Sequence, residues 1–453
     1  MILIRHKAVI LAISLLIPLT ARAASVTLEA AVEKGLKADN ILKEEAARVL
    51  GAKAGLSQAK LSRFGGFKLT GMYTNGTDPV YAFATAMKQG TFSMSSLATI
   101  NDPSPKSNFM AGIEAGVPLF TGFAISNAMK MGELGTEAAQ NGYERARAGI
   151  TFRITYQWLT VLLRRRLAEL ASDSVKASET ELNTARMLKD KGMVLGSDYY
   201  GAEAILSTLR GYSLNWNKAL DLEKEKLAIT LGLDPSDGAD AYGALNEATY
   251  ADKAKDGLAA SARGGRRDIK ALEKMAAISK TSEDMQKNSV LPTVEAFGAW
   301  EANSESLSDF RSNRLLGLRL TVPLGDPAYF AKKDAARAEV SMAASRLDEA
   351  RKQASLEVAE SLNDYDAAKE SLPVAKETLE KAEQSLELFR PLYRQGRQSV
   401  LEVLRAQASV LQAEAAYYET LYKLSLYHAQ LLLASETLDA AAVAEISEKL
   451  GRK

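Results

Sequence analysis

Two carboxylates, Asp198 and Glu402, stand at matched places in this chain: each lies six residues after a glycine, Gly192 or Gly396, and four before an alanine, Ala202 or Ala406. Ser197, Gln398 and Arg405 flank them, so two equivalent turns carry acids, a base and neutral hydrogen-bonding groups. An arginine one turn along a helix from an acid, as Arg405 is from Glu402, can pair with it and neutralise it. Bond-making chemistry has little else to draw on. The 453 residues hold two histidines, no cysteine and no Gly-rich phosphate loop, and the scattered carboxylates follow helix-surface spacing. His428, between Leu426, Tyr427 and Leu431, reads as a packed or surface residue rather than a ligand or base. An enzyme is the least supported class, and no cofactor or metal site is expected.

The matched turns belong to a longer duplication. Val117-Pro118-Leu119 returns as Val322-Pro323-Leu324, and about 74 residues after each triplet comes its glycine turn. Two similar structural units are therefore joined in one chain. Period-two alternation marks strands at 65–75 and 108–119 in the first unit, and at 292–302 and 313–324 in the second. About ten residues long and apolar on one face, they suit the wall of a transmembrane β-barrel, although a half-buried soluble sheet shows the same alternation. A Gly/Ser/Asn/Pro-rich stretch, 75–108, reads as a long loop with breakers at Asn75-Gly76, Asp78-Pro79 and Asp102-Pro103. Its counterpart, 303–312, is shorter.

Helical periodicity fills the rest. Residues 28–62 form two short helices interrupted near Asp39-Asn40, and 266–289 form one. Long helices over 123–191 and 328–395 span roughly 100 Å each at 1.5 Å per residue, far beyond what a globular core needs. Tyr156, Leu159, Leu163, Leu167 and Leu170 make an apolar stripe on the first. Return helices follow at 197–231 and 400–436, the second with a coiled-coil seam through Leu404, Leu411, Tyr418, Ser425 and Leu432. Pro373 is expected to kink or break the second long helix, with no equivalent in the first. The run Arg164-Arg165-Arg166 reads as a solvated face. The first repeat thus occupies 24–232 and the second 266–437, with a Gly/Asp/Ala-rich linker at 233–265 and a tail at 438–453.

Arg5 and Lys7, an apolar run from Ala8 to Leu19, and Ala21-Arg22-Ala23 have the order of a secretory signal peptide covering 1–23. Its removal turns the formal charge from +1 to −2, so nothing recruits nucleic acid. No cysteine follows for lipid attachment. Four strands per chain cannot close a membrane barrel alone, because open edges in lipid cost several kcal/mol per unpaired group. Two chains give eight strands and three give twelve; strand number alone does not choose.

Across nearly the whole mature chain, this order of elements resembles the TolC family of outer membrane channel proteins. The likeness is sharpest at the turns 192–198, with Ala202, and 396–404, with Ala406. It implies a mostly α homotrimer with a twelve-stranded transmembrane barrel, a long periplasmic coiled-coil tunnel, and an equatorial belt from segments near 28–38, 233–262 and the C-terminus. The implied function is the outer membrane duct of a tripartite efflux or type I secretion system. Implied partners are a periplasmic adaptor (membrane fusion) protein, an inner-membrane transporter of RND, ABC or MFS type, and outer membrane lipid. A secreted or periplasmic coiled-coil scaffold is the alternative.

The resemblance also implies that acids on the returning helices constrict the periplasmic entrance, at positions that fall here on Ser197, Asp198, Glu402 and Arg405. Arg405 departs from the family pattern, which has a second carboxylate there, and Gln398 stands where an aperture arginine is carried, beside Arg397. A gate closed by charge pairs among Asp198, Glu402 and Arg405 is expected. The tip residues Gly192, Met193, Gly396 and Arg397 are the expected adaptor-docking positions, and the second hairpin, bearing Pro373, Gln398 and Arg405, is the expected moving half. Substrate choice is not legible.

Overall fold

The computed structural model describes residues 25–248, 250, 257, 262 and 264–451. The expected signal peptide lies outside them, as do parts of the linker and the last two residues of the tail.

The alternating segments form one antiparallel sheet from β2 (Gly66–Gly76), β3 (Lys106–Thr121), β5 (Thr293–Ser304) and β6 (Arg311–Thr321), in the order β2-β3-β5-β6. Each half supplies a hairpin, and the β3–β5 pairing joins them. The register stacks like with like. Leu69 pairs with Ile113, Ile113 with Trp300, and Ala296 with Leu318, which builds one apolar face. On the other face Lys68 pairs with Glu114 and Glu295 with Arg319. The apolar face is uncovered in the single chain: Phe67 is 85% exposed and Leu316 80%. Soluble monomers seldom leave a contiguous apolar face of this kind bare.

A short parallel pair, β1 (Ser25–Val26) with β4 (Asp240–Ala241), ties the start of the described chain to the inter-repeat segment. Helices α1 (Leu28–Ala38) and α2 (Asn40–Leu61) meet at Asp39, whose carboxylate accepts the Ile41 and Leu42 amides and so ends one helix while capping the next. Gly122 (φ 56°) and Phe123 (φ 65°) turn the chain sharply from β3 into α4 (Ala124–Asp190). That helix is followed by α5 (Gly196–Thr230), and in the second half α6 (Arg267–Lys287) leads to the sheet while α7 (Tyr329–Arg394) and α8 (Val400–Ala434) leave it and return. The long helices α4 and α7 have 67 and 66 residues.

The main core lies midway along α4. Trp158, Leu159, Leu163, Leu167 and Leu170 are buried against Leu411, Leu421 and Leu432 of α8, while Tyr156 of the expected stripe is exposed. Val443, Ile446 and Leu450 of α9 (Ala440–Gly451) join the same cluster, so the C-terminal segment girdles the helices at mid-height. The Trp158 indole N–H donates to the Val26 carbonyl at 2.9 Å, locking the start of the chain into this belt.

Three expectations are corrected. Helix α7 continues unbroken through Pro373 and Pro391. An internal proline costs about 3 kcal/mol, and packing of α7 along α8 into shared clusters offsets it. Residues 75–108 are not an irregular loop, since they contain α3 (Pro79–Gln89) and a 3₁₀ segment, Met94–Thr99. Asp78 caps α3, Pro79 takes its first turn, and Gly90 ends it in the left-handed region, so Asp78-Pro79 starts a helix. The arginine run is not simply a solvated face. Arg165 pairs with Asp240 and donates to the Ala241 carbonyl, and Arg166 lies 4.7 Å over the Tyr418 ring.

Candidate gate at the hairpin tips

Both long helices end by the same device. Gly192 (φ 73°) follows α4, where its amide donates to Lys189 O and the Met193 amide to Leu188 O. Gly396 (φ 71°) follows α7, with its amide on Tyr393 O and the Arg397 amide on Leu392 O. In each case a left-handed glycine lets the next amide reach back to an orphan helix carbonyl, a reversal that other residues make only under strain. A Cβ on either glycine would meet nothing within 4 Å, so backbone conformation alone selects glycine here.

The return helices then place the matched acids equivalently, with Asp198 in the first turn of α5 and Glu402 in the first turn of α8. Negative charge there is favoured by the helix dipole, by about 0.3–1 kcal/mol. Ser197 Oγ donates weakly to Asp198 at 3.4 Å. Arg405 reaches back one turn to Glu402 at 2.7 Å, both side chains being substantially exposed. Among the described residues Arg405 pairs with Glu402 and not with Asp198. Gln398 is half-buried, whereas Gly192, Met193, Gly396, Arg397 and Ser197 are exposed.

One apolar cluster holds the two tips together. Leu182 and Ala185 of α4, Tyr199, Ala202 and Leu206 of α5, Tyr393 of α7, and Val400, Val403 and Leu404 of α8 pack as a unit. Gly201 lets the return helices approach, because a Cβ there would lie 3.1 Å from a Leu401 methyl. Burial, reinforced by the nearby Glu181 charge, raises the Tyr393 hydroxyl above the usual tyrosine value. Lys189 Nζ stands 4.2 Å from the Tyr199 ring centroid and 5.2 Å from that of Tyr200.

Sequence reasoning missed several charged groups higher along the helices. Glu414 of α8 is raised by burial, partly offset by Arg166 and reinforced by the charges of Glu383 and Asp173. Glu247 accepts from Lys376 Nζ and Tyr417 Oη, both at 2.8 Å, and these hydrogen bonds hold its carboxyl below the usual range. This bridge from the inter-repeat segment crosses α7 one turn beyond Pro373. No spacing in the sequence announces it, because its partners are 129 and 170 residues away. Among the described residues no group of His, Cys, Asp or Glu is arranged to hold a metal ion. No helix there is long and apolar enough to cross a membrane.

A sheet with one bare apolar face, two long helical hairpins and a cluster at their shared tips make up the fold. Residues 258–441 match the family model described as "Outer membrane efflux protein". A comparison with curated protein sequences gives no match. Among solved structures, the CmeC outer membrane channel of Campylobacter jejuni superposes with a TM-score of 0.79 at 15% identity, covering 93% of this chain and 89% of its own. The outer membrane protein VceC of Vibrio cholerae gives 0.76 at 18% identity, covering 90% and 95%. The open-state MtrE outer membrane channel of Neisseria gonorrhoeae gives 0.76 at 14% identity, covering 93% and 92%. The family match is thus confined to residues 258–441, while the chain as a whole has the fold of these solved channels.

Proposed function

We propose that this protein is the outer membrane channel of a tripartite efflux or type I secretion system, a passive duct from periplasm to exterior. The observation that carries this is the sheet, whose apolar face is uncovered and whose edge strands β2 and β6 belong to different halves of the chain. Backbone groups at such edges have no water to bond in a bilayer, so β6 of one copy pairs with β2 of the next until the ring closes. Three copies make the twelve-stranded barrel expected of the fold. The polar face then lines the lumen, and α4, α5, α7 and α8 continue it as a periplasmic tunnel.

At the far end, Asp198, Glu402 and Arg405, with Ser197 and Gln398 beside them, line the aperture. The Glu402–Arg405 pair of 2.7 Å supports a partly neutralised acidic ring. A periplasmic adaptor docks on Gly192, Met193, Gly396 and Arg397, separates the hairpins, and couples the duct to an inner-membrane transporter. The chain is exported by a signal peptide that is cleaved. Membrane fractionation tests the proposal: a heat-modifiable trimer extracted from the outer membrane only by detergent is expected. Release as a soluble protein by osmotic shock would refute it.

A further inference from the structure

We propose that α3 is an outer plug: in the assembled channel three copies of this helix meet on the barrel axis and close the lumen at its extracellular end. The inference rests on the channel function proposed above. Every side chain that holds α3 to the sheet bonds on the polar, lumen-lining face. Tyr81 Oη donates to Thr74 Oγ1 at 2.7 Å and lies 3.1 Å from the Lys106 carbonyl. Gln89 Nε2 donates to the Ser107 carbonyl at 2.8 Å and to Asn108 Oδ1 at 3.0 Å, and Asn108 Nδ2 in turn donates to Asn303 at 2.9 Å. Lys88 pairs with Glu301 at 2.8 Å, and its carbonyl accepts from Asn313. The helix thus touches all four strands at the end of the sheet remote from the tunnel, and it lies inside the barrel.

Its polarity is the reverse of a helix packed on a core. Ala82, Thr85 and Gln89 are buried toward the sheet, whereas Val80, Phe83, Ala84 and Met87, at helical spacing, are exposed. Val80 is 76% exposed and Met87 55%. An amphipathic helix buries its apolar stripe, and here that stripe faces the axis, where the other copies bring the same stripe. The dimensions agree. Twelve strands about 4.8 Å apart and tilted about 40° enclose a backbone cylinder about 24 Å across. Three helices of about 10 Å diameter on its inner wall touch at the centre. The segment has its own support, an edge-to-face pair of Phe83 and Phe92 at 5.3 Å, so it is a built element.

Accessibility from outside tests the plug. Leu315 shares a rung with Ala299, Glu114 and Lys68, on the lumen face one step inward of the Lys88–Glu301 level. The chain has no cysteine, so Leu315→Cys gives the full-length protein a single thiol, whose reaction with a bulky, impermeant maleimide applied to intact cells is read on the purified protein. Labelling is expected to be absent with α3 intact and to appear when residues 79–92 are replaced by a short Gly/Ser turn. Labelling with α3 intact would overturn the plug. No labelling after the replacement, in a correctly inserted trimer, would show that the barrel lumen does not open outward, and the channel function would fall with it. Where the replacement does not assemble, charge reversal decides: Lys88→Glu is expected to admit the label and Lys88→Glu/Glu301→Lys to exclude it again. Identical exposure in those two variants would overturn the proposal.

Discussion

Arg405→Ala should leave the protein folded while making its channel markedly more cation-selective. The Glu402–Arg405 pair is 2.7 Å long but its side chains are 35% and 60% exposed. After discounting for solvent screening its loss costs only about 0.3–0.5 kcal/mol. The field in the aperture changes more, because symmetry removes three guanidinium charges at once. One charge roughly 8 Å from the axis contributes about 0.5 kcal/mol in water, and three contribute about 1.5 kcal/mol. Screening over a Debye length of about 8 Å leaves roughly 0.6 kcal/mol, close to RT. Acting oppositely on cations and anions, that raises the permeability ratio about sevenfold. The assay is the reversal potential of reconstituted channels across a KCl gradient. At about 1 M salt, where the Debye length shrinks to about 3 Å, the difference from wild type should vanish. An unchanged ratio at low salt, or a changed one that persists at high salt, would refute an aperture ring built from these residues.

Other outcomes follow from the same geometry. Leu318→Arg puts a charge on the apolar face of β6, where Leu318 is strongly exposed, and should weaken membrane assembly by about 2–4 kcal/mol, read as loss of heat-resistant trimer. Gly65→Ala should impair assembly far more than Gly192→Ala: both glycines have φ near +70°, but a Cβ at Gly65 would stand 1.6 Å from the Gly116 carbonyl oxygen while Gly192 has open space. The tip variant should lose only about 1–2 kcal/mol of stability in denaturant melts, the backbone strain that a Cβ adds in the left-handed region. Glu283, gripped by Lys280 at 2.5 Å and Lys287 at 2.8 Å, is pushed down to about 2. A lowered carboxyl contributes stability above its unfolded pKa near 4.3 and loses it as pH falls toward the folded value. Glu283→Gln should therefore flatten the pH dependence of thermal stability between about pH 4 and pH 2.

Periodicity made most of the architecture legible. Period two marked the four strands because one face of each must be apolar, and the glycine turns marked the tips because a left-handed position ends each long helix. What escaped depended on long-range pairing or on ambiguous local signals. Asp78-Pro79 is a turn signal and also an N-cap followed by a first-turn proline, and only the Gly90 cap and the stripe between them favour the helix. Pro373 obeys its local penalty, yet the penalty is small beside the packing of a 66-residue helix. Arg165 took its meaning from Asp240, 75 residues away, and Glu247 from Lys376 and Tyr417. At the hairpin tips, the sequence indicated an ion pair within one helical turn, Glu402 with Arg405, because that contact is local.

Reconstitution of the purified full-length protein into planar bilayers tests the central claim most directly. Discrete conductance steps from a detergent-stable trimer are predicted, with a cation preference that Asp198→Ala/Glu402→Ala abolishes. A soluble protein that leaves the bilayer silent, or steps whose ion preference ignores both carboxylates, would contradict it.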